Sequence, residues 1–192
     1  MTTTTTTSTQ KLTLDQFLAL PETEPASEYA GGEVIQKPMP TKAHAILQLY
    51  LAMLLHQFLA QTGLGEVFPE WRCIFGPAGQ ERPYVPDLVV VSPERLSKGD
   101  ALDHPYLWNA PDLAIEILSP GQAVSPFLDK ILFYLQHGVR AVWVIDPAAK
   151  VVLVLRPGFD TITLTLDDQL EGGDVLPGFG IALRDLFTRL QS

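Results

Sequence analysis

Two short runs constrain the fold of this 192-residue chain more than any other feature. Val85-Pro86-Asp87-Leu88-Val89-Val90-Val91 and Asp112-Leu113-Ala114-Ile115-Glu116-Ile117-Leu118 are apolar on both alternating faces. Strands of that kind belong in the middle of a sheet covered by helices on both sides. Each run carries one carboxylate in its interior. Alternation puts Asp87 on a face with Val85, Val89 and Val91, and Glu116 on a face with Ala114 and Leu118. An isolated carboxylate in such a place costs several kcal/mol of desolvation. A lysine or arginine, backbone donors or a divalent cation must therefore compensate it.

The rest of the chain supplies elements to cover those strands. Thr13 and Gln16 form a capping-box pattern ahead of a short helix through Leu20. Glu28 to Ile35 reads as two extended pieces around Gly31-Gly32, a hairpin signal. After Pro38 and Pro40, Thr41 can cap a helix to about Thr62, whose apolar residues cover more than one face, so heavy burial is expected. Gly65 to Phe75 reads as extended, and Gly76 to Gln80 as a loop. Ser125-Pro126 opens a helix as N-cap and first helical residue, and Gly138 closes it. Strands follow at 141–146, 150–156 and 161–166, and a terminal helix at 185–190. No repeat or domain-scale linker is present. The expectation is a disordered low-complexity tail over 1–10 and a single α/β (α+β) domain over 11–192, with a central mixed β-sheet flanked by α-helices.

Charge and cysteine usage narrow the function. With 13 basic and 22 acidic residues the net charge is −9, which excludes binding of nucleic acid through bulk positive charge. It leaves room for a local basic patch or a metal-bridged phosphate contact. The one cysteine, Cys73, excludes a disulfide framework or Cys-rich zinc module and suits a cytoplasmic protein. The threonine-rich start lacks the pattern of a signal peptide. The apolar stretch 43–60 is interrupted by His44, Gln48, His56 and Gln57, so no membrane insertion is expected.

Two carboxylates on neighbouring strands make an oxygen-rich site suited to Mg²⁺ or Mn²⁺. Lys130 follows on the next helix, with Phe127, Phe133 and Tyr134 three or four residues away, which places it on or beside the apolar face. There it either snorkels to solvent or meets a buried acid. Either acid alone also fits a structural salt bridge. All three together prefer metal-dependent hydrolysis, the cation activating water and the lysine orienting it and offsetting charge on the phosphate.

With these residues in view the chain resembles the Uma-two family of bacterial restriction-endonuclease-like domains, within the PD-(D/E)XK nuclease superfamily. The matching pieces run from Glu28-Tyr29 through Gly32-Glu33, His44, Val85-Pro86-Asp87-Leu88 and Pro111-Asp112-Leu113 to Glu116-Ile117-Leu118-Ser119-Pro120. They continue with Asp129-Lys130, Tyr134, Gly138, Trp143 and Leu176-Pro177-Gly178. The resemblance implies a restriction-endonuclease-like fold and a Mg²⁺-dependent (or Mn²⁺-dependent) endonuclease acting on DNA. Pro86-Asp87 matches the "PD" and Glu116 the "(D/E)"; the usual lysine two residues later is Leu118 here. Lys130 on the adjacent helix becomes the candidate, since the site needs an ammonium at one point in space.

The resemblance also implies that Glu33 reaches the metal or its waters, although a solvated turn residue fits equally. Glu28 is a weaker candidate. His44, in the first turn of the long helix, is a candidate for phosphate contact or acid–base work against a structural reading. His56, His104 and His137 have no ligand spacing. Trp143 and the aromatics at 127, 133 and 134 read as core, and Cys73 as a small buried hydrophobe. A homodimer is expected, gathering Lys37, Lys42, Arg72 or Arg82 on one face for DNA. The alternative is a noncatalytic DNA-binding or protein-interaction module on the same fold.

Overall fold

The computed structural model describes residues 11–96, 104–158 and 160–191. The expected tail over 1–10 lies outside the described residues. Thr13 caps α1 (Leu14–Leu18) with both reciprocal bonds of the capping box to Gln16. The chain then forms the hairpin β1 (Ser27–Ala30) and β2 (Glu33–Gln36). It turns through Gly31 and Gly32 at φ 60° and 93°, conformations that favour glycine. Thr41 accepts the His44 N–H and opens α2 (Lys42–Thr62), which Gly63 closes in the left-handed conformation.

The central sheet is formed by β3 (Glu66–Pro69), β6 (Leu88–Val91), β8 (Leu113–Ile117), β9 (Ala141–Asp146), β10 (Val151–Arg156) and β11 (Asp160–Leu164). Its order is β11-β10-β9-β8-β6-β3. It is mixed: β8 and β9 are parallel, whereas β6 is antiparallel to β8. A parallel pair needs a crossover, and α3 (Val124–Gln136) lies in it. A smaller sheet combines β4 (Arg72–Phe75) with β5 (Arg82–Tyr84) and β7 (Tyr106–Leu107). β12 (Gln169–Glu171) pairs with β13 (Gly180–Ala182), and α4 (Leu183–Thr188) follows.

Alternation along the central strands divides the apolar side chains between two cores. Leu88, Val90, Leu113, Ile115 and Ile117 pack with Leu47, Leu51, Leu55 and Leu59 of α2. Val89, Val91 and Ala114 pack with Ile131, Phe133 and Tyr134 of α3. Glu116, between Ile115 and Ile117, therefore falls on the α3 side.

Three local expectations are corrected. In α2 only a narrow stripe is buried, while Leu49 and Met53 remain 64% and 59% exposed. The helix lies on the sheet surface, so one side alone meets the core. In α3 Ala123 occupies the N-cap, without a side-chain cap bond, and Pro126 is the third helical residue. Proline is tolerated there because the first-turn N–H groups have no partner inside the helix. The extended stretch from Gly65 to Phe75 divides between two sheets. The break falls at Glu70, which has φ 49° and whose N–H donates to the Asp87 carbonyl at 3.2 Å.

Candidate active site

The β6–β8 register places Leu88 opposite Ile115. Asp87 precedes the first and Glu116 follows the second, so both acids leave the same end of an antiparallel strand pair. Asp87 extends the ladder with its side chain, Oδ2 accepting the Ile117 N–H at 2.7 Å. Its carbonyl accepts from Gln48 Nε2 at 2.9 Å, tying the turn to α2. Oδ1 lies 2.6 Å from Lys37 Nζ and 3.5 Å from His44 Nε2. His44 Nδ1 lies 3.3 Å from Ser119 Oγ, just beyond β8.

Glu116 meets α3. Its Oε1 is 2.8 Å from Lys130 Nζ and accepts the Tyr134 hydroxyl at 2.9 Å. Lys130 and Tyr134 are one helical turn apart and reach the same oxygen together. Lys130 also donates to Glu28 Oε1 at 2.7 Å, and that oxygen accepts the Val85 N–H at 2.9 Å. Glu28 thereby joins the hairpin to the strand ends. Asp87, Glu116 and Lys130 are 2%, 3% and 5% exposed, so their charges have mostly lost bulk water.

Three carboxyl groups (Glu28, Asp87 and Glu116) face two lysine ammoniums (Lys37 and Lys130). Burial pushes the Glu116 carboxyl up to about 7; Lys130 opposes the rise, and the Asp87 charge adds to it. Burial also acts upward on Asp87, but the His44 hydrogen bond and the Lys37 ammonium outweigh it and leave Asp87 well below the carboxylate range. Burial alone would lower the Lys130 pKa, yet Glu116 and Glu28 hold the ammonium well above its ordinary value. The two acids, equivalent in sequence, thus have opposite proton affinities.

The structure brings Asp87, Glu116, Lys130 and His44 around one cavity of about 480 Å³. Glu33 lies on the exposed strand β2, opposite Ala30, and lines the same cavity. Glu28, the weaker sequence candidate, is the glutamate bonded to Lys130. Nothing in the sequence marks Tyr134 or Ser119 for the site, and Lys37 reads there only as a surface cation. Arg72 is not on a DNA-facing surface: it is buried, donating to the Ser27 carbonyl at 2.8 Å and to Glu22 at 2.5 Å. Trp143 and Cys73 are core, and burial pushes the Cys73 thiol far up.

Among the described residues no three His, Cys, Asp or Glu side chains form a metal-binding group. Mg²⁺ usually takes one or two carboxylates and completes its shell with water and phosphate oxygens. Asp87 and Glu116, both lining the cavity, are the carboxylates that could supply such a shell.

The sequence matches the Uma2 family model, described as "Putative restriction endonuclease", over residues 14–184. Among solved structures it is similar to the crystal structure of "a putative nuclease belonging to DUF820 from Anabaena variabilis ATCC 29413". The identity is 36% and the TM-score 0.85, over 93% of this chain and 99% of that chain. Among curated proteins nothing matches.

Proposed function

Because the chain belongs to the Uma2 family of restriction-endonuclease-like proteins, we propose that it is a metal-dependent nuclease hydrolysing phosphodiester bonds in DNA. Asp87 and Glu116 would hold the cation, joined by the Ile117 carbonyl. A bound Mg²⁺ or Mn²⁺ would supply a water activated at neutral pH and a counter-charge for the attacked phosphate. Lys130 directs two of its three N–H donors to Glu28 and Glu116. The third is left to orient the attacking water and to offset charge on the phosphate. Glu28 positions Lys130. His44 contacts substrate phosphate, and Glu33, on the rim, reaches waters around the cation. The protein works in the cytoplasm, where its single buried thiol stays reduced.

One observation carries the reading. The side chains of Asp87 and Glu116 emerge together from neighbouring strands, and Lys130 lies 2.8 Å from the second. The test is cleavage of plasmid DNA in Mg²⁺, with chelator as control. Wild type should cut; Asp87→Asn and Glu116→Gln should lose cutting together with metal-induced thermal stabilisation. Lys130→Ala should keep that stabilisation and lose about 10²-fold or more in rate, since its role is in the transition state. Cutting unchanged in Glu116→Gln contradicts the mechanism. A wild type that binds DNA without cutting, indifferent to metal, favours the noncatalytic module; the ammonium partner that each acid already has points the same way.

A further inference from the structure

We infer that Lys37 is a second functional lysine of this site. In the metal-free protein its ammonium fills the cation position on Asp87, and binding of a divalent cation releases it into the cavity, where it can take a substrate phosphate. The inference rests on the metal-dependent reading above.

The two oxygens of Asp87 are unequal. Oδ2 is committed to the Ile117 N–H at 2.7 Å, inside the sheet. Oδ1 is the oxygen left for a cation, and Lys37 Nζ lies 2.6 Å from it. An ammonium and a divalent ion on one carboxylate oxygen repel each other, so entry of the metal requires departure of the lysine. Lys37 is free to leave in a way that Lys130 is not. Its backbone N–H is anchored to the Ala26 carbonyl at 3.0 Å, beside the hairpin. Beyond that anchor a flexible four-carbon stem reaches in from the mouth. The Lys37 side chain is 14% exposed, against 6% for Lys130. Its other bond, to the Val85 carbonyl at 2.9 Å, is to a neutral group, whereas Lys130 is held by two carboxylates. His44, 3.5 Å from Oδ1, remains beside Asp87 when the lysine departs. Because Lys37 lines the cavity, the freed ammonium stays within reach of a phosphate there, with three donors to offer.

Calorimetric titration with Mg²⁺ and Mn²⁺, without DNA, compares wild type with Lys37→Gln. Removing the competing cation should tighten metal binding about tenfold, the worth of one charge-assisted contact. In the wild type, brief acetylation with limiting reagent, read by peptide mass spectrometry, should modify Lys37 severalfold faster in Mg²⁺, with Lys150 unchanged. That second measurement decides the matter should the variant fail to fold. Equal or weaker binding by Lys37→Gln, or Lys37 labelling indifferent to metal that the wild type does bind, overturns the inference and leaves the metal site standing. Absence of metal binding in both proteins overturns both.

Discussion

At the scale of single residues, Glu116 and Asp87 show how environment separates two like groups. Burial and the nearby Asp87 charge raise Glu116 from 4.5 to about 7, so the folded protein holds a proton there that the unfolded chain releases. The stability this confers is full below about pH 4.5 and is lost as pH rises through about 7. Asp87, depressed by His44 and Lys37 despite its burial, acts in the opposite sense: its contribution is present above the ordinary carboxylate range and is lost on acidification below it. Urea unfolding of the metal-free protein should therefore show stability falling by on the order of 2 kcal/mol between pH 5 and pH 8. Glu116→Gln should flatten that slope, and an unaltered slope in the variant would refute the assignment. Both acids were legible in the sequence because a carboxylate within an apolar run demands compensation, although β6 begins at Leu88 and leaves Asp87 just ahead of the strand, while Glu116 lies inside β8. Glu28 was only a weak candidate and Lys37 only a surface cation, since a charge on a hairpin or beside prolines is ordinary there; the fold carries them onto Lys130 and Asp87.

At the scale of elements, the strands beside the acids are anchored by a further buried carboxylate, outside the site. Asp112 accepts the Ser92 N–H at 2.8 Å and pairs with Arg95 and Arg140 at 3.2 and 3.3 Å. Arg95 also bonds the carbonyls of Ala110, Pro111 and Gly138. Asp112→Ala strands these cations and an amide, and should cost about 3–5 kcal/mol in chemical denaturation. Calcium or magnesium should not restore the loss, because the residue lies at the opposite end of β8 from Glu116. A variant as stable as wild type would show the network to be incidental. Several helix and hairpin limits were readable from capping and glycine signals, as at Thr13, Gly31-Gly32 and Thr41. The split between β3 and β4 was not, because the residue in the left-handed conformation is Glu70, where no glycine marks the turn.

At the scale of the whole molecule, α2 is long and apolar enough by length and composition to cross a membrane, yet Leu47, Leu51, Leu55 and Leu59 bury one side of it against the sheet. Its outward Leu49 and Met53 leave an apolar surface on an acidic protein. A homodimer would cover such a face, and sedimentation equilibrium at micromolar concentration should give twice the mass of one chain, 21.1 kDa. A monomer alone would contradict that. The mixed sheet between helices was foreseeable from two doubly apolar strands; the small sheet of β4, β5 and β7 was not, since its strands run two to four residues and pair across distant parts of the chain. The central claim, that Asp87 and Glu116 hold a divalent cation, is tested most directly by anomalous diffraction from a crystal soaked in Mn²⁺. A peak should appear about 2.0–2.3 Å from a carboxylate oxygen of each acid, with Lys37 displaced from Asp87. Asp87 still paired with Lys37 at millimolar Mn²⁺, and no peak beside Glu116, would contradict it.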